Sequence, residues 1–464
     1  MKKIVLFGVG RELKKHIGYL NNIGLEPYCF ADNNPEKWGT IVEGKHVVNP
    51  KELLEMDCNI LISCNFVEEI TKQLEEMGLG NKLINFQPIL KELVDKYADN
   101  YKYTEKTVSI NKSKQILIDA FDGVGWGGME VWSYNVGNEL DKRGYNVQIY
   151  GSTWQMKQDE QFERLIKRYE LNREDFWQTV EVILEDMEKR MPFTLINNWT
   201  EQVFVAAYIL KQKYPEYVRI ISVVHNDTLP LYIKQNVWNE AFDKIAGVSK
   251  KICKKLVNKY GIDEGKVCYK ENFVSNISEG IVRSRNENEP IRIGWGARLE
   301  ILQKRADFIP EFIEKLENAN INYVFEIAGN GSYKEDILEF INENGYKNVN
   351  MLGEVPIKDM RAFWLRQHIY VNLSDFEGSS LAMLEAMSTG CVPVVTDVSG
   401  TDEFVYNDKT GYRCPIENIQ SIVDKVVYLY ENKNLLNEMS INAADIIREK
   451  CQLNEYTKYI EEVI

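Results

Sequence analysis

Short apolar runs that end in a turn and lead into a helix-like stretch recur along the whole chain. Such alternation of buried strands and helices is typical of α/β proteins with parallel sheets. The runs fall into three series, which begin near Lys3, Gln115 and Ile291. The length of 464 residues suffices for about three domains. We therefore predict three α/β units, of which the last two are doubly wound, Rossmann-like domains that face each other across a cleft.

Polar stretches between the series set the predicted domain boundaries. Residues 1–99 are predicted to form a small Rossmann-like domain, 100–113 a linker, 114–285 a second domain and 286–464 a third. The linker is predicted because its residues are polar and lack a hydrophobic period. The polar stretch Ser284–Pro290 is predicted to be the hinge between the larger domains. Ligands of such domain pairs bind at the carboxyl ends of the strands, so the cleft is the expected site.

The segment from Glu377 to Glu385 is the part of the third series that points to a ligand. It follows an apolar run, contains Gly378 and opens a helix-like stretch that ends at Gly390. A helix start presents unpaired N–H groups and the positive end of the helix dipole, which suit a diphosphate. A carboxylate on either side can bind the hydroxyl groups that flank the phosphates of a nucleotide sugar. An ordinary strand–helix junction with an acidic first turn is the alternative.

Cationic and glycine-rich turns follow other strands of the two larger series. Arg298 and Lys304 come after the strand that ends at Gly296, where they can neutralise a diphosphate leaving group. Gly127 and Gly128 precede a helix-like stretch and can admit a bulky group close to the backbone. The respective alternatives are a solvated charged turn and a flexible loop.

Single side chains at strand ends are further candidates. His225 ends an apolar strand, where it can hydrogen-bond a substrate hydroxyl or stabilise charge in a transition state. A purely structural histidine is the alternative. Tyr150, with Trp154 just after it, can stack on an acceptor sugar, or else belong to the core. The sequence contains no Asp-x-Asp triplet, so we expect no metal on the diphosphate and no cofactor.

The first series imitates a dinucleotide-binding fingerprint. Gly8 and Gly10 lie at a strand-to-helix turn and Asp32 follows the second strand, but Leu13 stands at the place of the third glycine. Nicotinamide binding is one interpretation, and a folding or docking module with an empty turn is another. The stretch Phe30–Pro35 also resembles the small Rossmann-like modules of sugar acyltransferases, which hold the nucleotide of a nucleotide sugar.

From about Lys114 onward the chain resembles the retaining GT-B glycosyltransferases of family 4. The resemblance rests on motifs that follow strands: Gly127-Gly128, His225-Asn226, Gly247-Val248-Ser249, Arg298 with Lys304, Gly329 with Gly331, and Glu377 to Glu385 with seven residues between them. It implies transfer of a sugar from a nucleotide diphosphate to an acceptor hydroxyl with retention at the anomeric carbon. Attack from the same face is expected, with the departing phosphate taking the acceptor proton.

The resemblance also implies a role for each matching residue. Glu377 would contact the donor sugar, Glu385 the ribose hydroxyls, and His225 the sugar being transferred. Arg298 and Lys304 would hold the diphosphate, although their separation of six positions is one more than the family usually has, so Arg305 is the alternative partner. The remaining donor-binding positions would be Gly127, Gly128, Gly353, Val355, Gly378, Ser379, Ser380 and Leu381.

Composition limits the partners and the compartment. A net charge of −14 argues against a nucleic-acid partner. No stretch approaches the roughly 18 apolar residues of a membrane span, and no signal-peptide cleavage site follows the first apolar run. The eight cysteines include no Cys-x-x-Cys pair, so we expect a cytoplasmic protein with reduced thiols. The basic segment Lys250–Lys259 either contacts an anionic membrane at its inner face or is a solvated helix face.

The sequence thus predicts a retaining, metal-independent glycosyltransferase. Its donor would be a UDP- or GDP-sugar, and its acceptor a glycan or lipid-linked sugar in polysaccharide or cell-envelope glycan synthesis. Two alternatives remain: a nucleotide-sugar epimerase or oxidoreductase centred on the first domain, and a non-catalytic scaffold that binds nucleotide sugars.

Overall fold

Three parallel sheets organise the chain in the computed structural model. It describes residues 2–10, 12–64, 66–103, 115–120, 127–152, 165–169, 176–198, 200–275, 277 and 289–464. Each sheet carries helices on its faces and corresponds to one of the three predicted series. The predicted fold class, two doubly wound domains preceded by a smaller α/β domain, is confirmed.

The first domain contains a five-stranded sheet in the order β3-β4-β2-β1-β5. Its strands are β1 (Lys3–Phe7), β2 (Cys29–Ala31), β3 (Ile41–Val42), β4 (Lys45–Val48) and β5 (Cys58–Ile62). Its helices are α1 (Leu13–Asn22), α2 (Val67–Glu76) and α3 (Phe86–Asn100). Pairing within the sheet is parallel, and β3 and β4 form an antiparallel hairpin at its edge.

The run Lys82–Asn85 has the apolar centre of a strand but does not form one. Gly80–Lys82 forms a 3-10 turn, and Leu83 makes a single bridge to Ile60 of β5. The apolar run ends after two residues because the Asn85 side chain accepts a hydrogen bond from the Gln87 N–H and caps α3. At the other edge of the sheet, the hairpin strand β4 lies beside β2.

Helix α3 joins the first domain to the second. Leu90, Val94 and Ala98 of α3 lie in one hydrophobic core with the strands of the second domain. The Tyr208 hydroxyl donates to Asp95 over 2.8 Å. The predicted linker therefore begins where α3 ends, at Asn100, and most of it (104–113) lies outside the described residues. The first domain is packed against the second rather than tethered to it.

The second domain contains a seven-stranded parallel sheet in the order β12-β11-β10-β9-β6-β7-β8. Its strands are β6 (Gln115–Asp119), β7 (Asn146–Ser152), β8 (Ile166–Tyr169), β9 (Phe193–Asn197), β10 (Val218–Val224), β11 (Lys244–Gly247) and β12 (Val267–Tyr269). Its helices are α4 (Gly128–Lys142), α5 (Phe176–Arg190), α6 (Glu201–Lys213), α7 (Leu229–Val237) and α8 (Lys250–Asn258). The strand order reverses between β6 and β9, which places the expected ligand crevice at their carboxyl ends.

The third domain contains a six-stranded parallel sheet in the order β15-β14-β13-β16-β17-β18. Its strands are β13 (Ile291–Gly296), β14 (Tyr323–Ala328), β15 (Val349–Gly353), β16 (Ile369–Asn372), β17 (Val392–Thr396) and β18 (Tyr412–Cys414). The helices are α9 (Ile309–Asn318), α10 (Lys334–Asn344), α11 (Ile357–Leu365), α12 (Leu381–Ser388), α13 (Ile419–Glu431), α14 (Lys433–Lys450) and α15 (Leu453–Val463). Here the order reverses between β13 and β16, directly before Arg298 and Glu377.

The chain crosses between the two larger domains twice. Most of the predicted hinge, residues 284–288, lies outside the described residues. After α14 the chain returns, and α15 packs against α4 of the second domain, where Tyr456 enters the core and Glu461 forms an ion pair with Arg143 over 2.6 Å. The two crossings meet where the Val274 N–H donates to the Cys451 carbonyl over 2.8 Å. The described helices include none with the length and apolar composition of a membrane span.

Candidate active site

A cavity of about 3450 Å³ opens between the carboxyl ends of the second and third sheets. Most of the predicted site residues line it, although they are far apart in sequence. They are Gly127, Gly128, His225, Arg298, Lys304, Val355, Glu377, Ser379, Ser380, Leu381 and Glu385. Gly353, Gly378, Gly8 and Asp32 are not part of its lining, whereas Gly10 is. Both reversal points of strand order therefore face the same cleft.

Glu377 is buried at the cavity wall, with 5% of its surface exposed. Its Oε1 accepts hydrogen bonds from Lys304 Nζ over 2.5 Å and from Ser374 Oγ over 2.9 Å, and its Oε2 accepts from Gln303 Nε2 over 3.2 Å. The loop after β13 supplies Lys304 and Gln303, and the loop after β16 supplies Ser374. The carboxylate is thus fixed in one orientation and carries a cation beside it.

Arg305, the alternative phosphate partner, has its charge engaged elsewhere. Its guanidinium contacts Asp375 and Glu417 through Nη1, over 3.0 and 3.1 Å, and Asp307 through Nη2, over 3.1 Å. Arg305 also has a left-handed backbone, with φ of 52°. Three carboxylates therefore neutralise Arg305, whereas Lys304 sits against Glu377 inside the cavity.

The start of α12 presents hydrogen-bond donors to the same space. Ser380 is the N-cap residue, and its Oγ accepts from the Met383 N–H over 3.4 Å. The Ser379 hydroxyl is buried without a hydrogen-bond partner in the described part of the chain. A buried hydroxyl of this kind is costly unless a ligand or water pairs with it. The unpaired Ser379 hydroxyl and the helix start together fit an anion.

Glu385 lies just over one turn into α12 and faces the cavity. Desolvation by the surrounding protein raises the pKa of its carboxyl to about 7. A carboxyl with this pKa is about half protonated at neutral pH. Hydroxyl groups of a ligand would stabilise its ionised form by hydrogen bonding.

Gly378 is required by contact between the domains. A Cβ at this position would lie 2.0 Å from the carbonyl oxygen of His225. Asn226 and Gly378 form an antiparallel bridge, and the Asp227 N–H donates to the Glu377 carbonyl over 3.3 Å. The backbone at Gly378 therefore lies directly against the strand end that carries His225.

His225 is a neutral imidazole in a fixed orientation. Its Nε2 lies 2.8 Å from Asn198 Oδ1. The Asn198 amide nitrogen donates to the Asp119 carbonyl and to Ser133 Oγ, which leaves its oxygen as the acceptor. Nε2 therefore carries the proton, and Nδ1 can accept a hydrogen bond. Burial lowers the pKa of His225 to about 3.

Asn198 and Glu130 belong to the site but were not predicted from the sequence. Asn198 directly follows β9 at the reversal point of the sheet, and this position alone could have identified it as a candidate site residue. Glu130 lies in the first turn of α4, and a Cβ on Gly127 would lie 2.3 Å from its Oε2. Burial raises the pKa of Glu130, and the positive charge of Arg298 opposes the shift. Arg298 of the third domain thus acts electrostatically on the second-domain wall of the cavity.

Tyr150 does not reach the cavity, and the predicted stacking of an acceptor sugar on it is wrong. The residue is 1% exposed, and its ring stacks on Tyr169 with centroids 5.3 Å apart. Its hydroxyl donates to Asp186 over 2.7 Å. Tyr150 belongs to the core because β7 is an internal strand covered on both faces. Trp154 lies outside the described residues.

In the first domain, Asp32 is engaged by its own domain. Its carboxylate accepts from the Val9 N–H over 2.7 Å, the Asn34 N–H over 2.8 Å and Lys37 Nζ over 3.0 Å. Gly8 has φ of 112°, and a Cβ there would lie 2.9 Å from Cys64 Cβ. The glycine turn is thus packed against β5 and tied to Asp32.

The basic segment forms the amphipathic helix α8. Ile252 and Leu256 are buried, whereas Lys250, Lys251 and Lys254 are exposed. Lys251 also lines the cavity. The helix therefore presents positive charge beside the mouth of the cleft.

Comparison with known families divides the chain in the same way as the structure. Residues 283–445 match the family described as Glycosyl transferases group 1, and residues 126–275 match Glycosyltransferase Family 4. Residues 1–84 match the family described as C2185-like, N-terminal. The site residues described above, apart from those of the first domain, lie within the first two matches.

Individual relatives cover parts of the chain. A poly(ribitol-phosphate) α-N-acetylglucosaminyltransferase of Staphylococcus aureus is 32% identical over 151 residues, or 32% of this chain and 30% of that protein. An N-acetyl-α-D-glucosaminyl L-malate synthase of Bacillus anthracis is 21% identical, over 56% of this chain and 71% of that protein. The chain spans 30%, 59% and 38% of the first three curated relatives that it matches.

A solved structure supports the arrangement of the two larger domains. The Anabaena protein HepE, crystallised with UDP and glucose, superposes with a TM-score of 0.61 at 14% identity. The superposition covers 75% of this chain and 98% of HepE. The two larger domains therefore have the GT-B fold.

Proposed function

This chain belongs, through residues 126–275 and 283–445, to the family 4-like GT-B glycosyltransferases, and we propose that it transfers a sugar from a nucleotide diphosphate to an acceptor hydroxyl. The observation that carries the proposal is the pairing of Glu377 with Lys304 beside the start of α12, opposite His225. Glu385 faces the same cavity one helical turn further on. One carboxylate lies on each side of the helix start. This arrangement matches a nucleotide sugar, in which hydroxyl groups lie on each side of the diphosphate.

The diphosphate would be held by fixed protein charge. Lys304, Arg298 and the first N–H groups of α12 line the cavity together, and the unpaired Ser379 hydroxyl adds a donor. Donors already in place at the developing negative charge lower the barrier without reorganisation. We therefore propose that departure of the nucleotide needs no metal ion. Glu385 would bind the ribose, and residues near Gly353 and Val355 the nucleobase.

Retention at the anomeric carbon would proceed by attack from the same face. Both oxygens of Glu377 are held by donors, which favours a positioning role for this carboxylate over nucleophilic attack. His225 would hold a hydroxyl of the transferred sugar through Nδ1, since its lowered pKa keeps it neutral. The departing phosphate would take the acceptor proton. A covalent sugar trapped on Glu377 would overturn this mechanism.

The acceptor would be a glycan or lipid-linked sugar of the cell envelope, reached from the cytoplasmic side. The names of the Staphylococcus and Bacillus relatives support an N-acetylglucosaminyl donor as the first to test, and UDP in the HepE structure supports a uridine nucleotide. The exposed lysines of α8 would draw the cleft toward anionic lipid. Vesicles with and without phosphatidylglycerol test this contact: Lys250→Glu with Lys254→Glu should abolish sedimentation with the anionic vesicles, and unchanged sedimentation contradicts it.

Donor turnover tests the proposal directly. UDP-, GDP- and ADP-sugars are supplied to the full chain, and release of nucleoside diphosphate is measured for the wild type, Glu377→Ala and Arg298→Ala. We expect turnover of one donor class and its loss in both variants, with Arg366→Ala, which is in the same domain but does not line the cavity, as a matched control. If no nucleotide sugar turns over, or if both variants match the wild type, the proposal fails.

The first-domain alternative has less support. A nicotinamide enzyme would use Asp32 for ribose, and its carboxylate is bound by Val9, Asn34 and Lys37. The similarity of this domain to the acyltransferase modules stays a prediction. A scaffold that only binds nucleotide sugar is separated from the enzyme by the turnover assay, because it would bind donor without releasing nucleotide.

A further inference from the structure

The cavity is larger than its proposed donor requires. Small-molecule sites usually occupy about 300–1,000 Å³. The cavity volume is about 3450 Å³, and it continues past the cleft to the carboxyl edge of the first sheet. Gly10 and Cys64 at that edge belong to the same lining as His225 and Glu377. The edges of all three sheets thus open into one connected space, and the proposed donor site does not use the first-domain part.

One wall of this extension carries rings. His16 and Tyr19 of α1, Phe66 before α2, and Phe86 at the start of α3 all line it. The rings of Tyr19 and Phe86 lie 5.9 Å apart, and those of His16 and Tyr19 lie 6.3 Å apart. Phe66 is 65% exposed. Aromatic side chains combine an apolar face with tolerance of polar surroundings, and exposed ones often mark binding surfaces.

One face of α4 also lines the cavity. Val131, Asn135, Asn138 and Lys142 line the cavity at spacings of three or four residues, which places them in a stripe along the helix. The stripe begins at Gly128, beside the catalytic cleft, and extends for about 20 Å at 1.5 Å per residue. Its two amides can each donate and accept hydrogen bonds. The amides of α4 and the rings of the first domain therefore line the same cavity as the reacting centre.

The seam between the walls is fixed. The Gln87 side chain donates to Glu201 over 2.9 Å and accepts from the Trp238 indole N–H over 2.8 Å. Both partners belong to the second domain. The extension is therefore preformed, and a ligand in it does not have to order the two domains first.

We propose that the first domain is the acceptor-chain module of this enzyme: a linear oligosaccharide with its growing end at His225 lies along α4, against Tyr19, Phe66 and Phe86. The inference rests on the proposed function and adds a distal subsite to it. Rings suit the C–H faces of sugars, and the amides of Asn135 and Asn138 suit their hydroxyls. The length of the path would accommodate several sugar units and so favour longer acceptors.

Binding to a panel of immobilised bacterial glycans, from disaccharides to octasaccharides, tests the inference on the full chain. We expect the wild type to bind longer chains preferentially. Tyr19→Ala and Phe66→Ala should each weaken binding of the longer chains by about tenfold, the value of one or two lost ring contacts. Tyr28→Ala is the matched control, because this tyrosine is 50% exposed on the same domain and does not line the cavity.

Donor hydrolysis is measured in parallel and separates the two proposals. It should be unchanged in Tyr19→Ala and Phe66→Ala. If the wild type hydrolyses donor but binds no glycan longer than a disaccharide, or if both ring variants bind like Tyr28→Ala, the acceptor-chain inference is overturned while the proposed function stands. If donor is not hydrolysed at all, the proposed function fails, whatever the glycan panel reports.

Discussion

The carboxyl edges of the first and third sheets share the same components: a parallel strand, a glycine turn, a helix and a nearby carboxylate. In the third domain Glu385 faces a large cavity, and desolvation raises its pKa to about 7. In the first domain Asp32 accepts three hydrogen bonds from its own domain. With the same components, the carboxyl of Glu385 is available to a ligand, whereas the carboxyl of Asp32 stabilises a turn of its own domain.

The difference lies in what stands beside each carboxylate. Lys37 forms an ion pair with Asp32 over 3.0 Å and is the third donor to its carboxylate. In the third domain Lys304 forms an ion pair with Glu377, and Glu385 lines the cavity. A glycine turn with a carboxylate therefore predicts the shape of a sheet edge, whereas the position of the nearest lysine decides whether that edge can bind a ligand.

Removing Lys304 should have the largest effect. Lys304→Ala takes away a cation at the diphosphate and leaves the buried Glu377 without its ion-pair partner, so we expect kcat to fall by about 10²–10³-fold. Single-turnover release of nucleotide measures the loss. Arg305→Ala is the adjacent control and should lower thermal stability while changing the rate only slightly. Equal losses of rate in both variants would contradict the assignment of Lys304 over Arg305.

Glu385→Ala should weaken donor binding by about 10–100-fold, because the charge-assisted hydrogen bonds that we propose to ribose would be lost. Calorimetric titration with the nucleotide sugar found in the donor screen gives the Kd. The companion variant Asp32→Ala should leave that Kd unchanged. A weaker Kd in Asp32→Ala would mean that the two edges are functionally alike.

The pH dependence of donor binding should follow Glu385. As pH rises through about 7, its carboxyl loses a proton and becomes a better acceptor for hydroxyls, so binding tightens. Between pH 6 and 8 the Kd should fall by about tenfold for a group with this pKa. His225, with a pKa of about 3, contributes no step in this range. Glu385→Gln should show a flat profile, and a retained slope would assign the titration to another group.

The smallest effect on activity is expected from Asp32→Ala. The change removes the acceptor of the Val9 and Asn34 N–H groups and should lower the free energy of unfolding of the first domain by about 1–2 kcal/mol. Denaturant unfolding followed by intrinsic fluorescence measures it. Donor hydrolysis should stay at the wild-type rate. No loss of stability would show that the three contacts of Asp32 contribute nothing to the turn.

Features encoded by neighbouring residues were predictable from the sequence. The strand before Glu377 and the helix start at Ser380 follow from an apolar run, a glycine and a capping serine within a few positions. The doubly wound architecture follows from repetition of such units. The placement of Arg298, Lys304 and Glu377 at one edge follows from the rule that carboxyl ends of the parallel strands of one sheet share an edge. His225 faces them because the cleft lies between the carboxyl ends of the two larger sheets.

Features that depend on distant partners were not predictable in this way. The burial of Tyr150 depends on Tyr169 and Asp186, and the tautomer of His225 depends on Asn198. The hairpin strand β4 is short and polar at its start, so it lacks the apolar run that identified the other strands. The packing of α3 and α15 on the second domain involves residues that are separated by long stretches of chain. A local sequence pattern does not predict such contacts.

The meeting of the two chain crossings at Val274 and Cys451 restricts how the two larger domains can move relative to each other. Two covalent connections joined by a hydrogen bond at one point act as a pivot, so the larger domains can rotate apart but cannot separate. Rotation must break the contacts of Ser249 with Ser399 and of Lys250 with Glu403 on the facing surfaces. Under the proposed function, product release would thereby be coupled to helix α15, to which no donor-binding role is assigned. A chain ending at Cys451 would keep every donor-binding residue and lose the anchor about which the cleft opens.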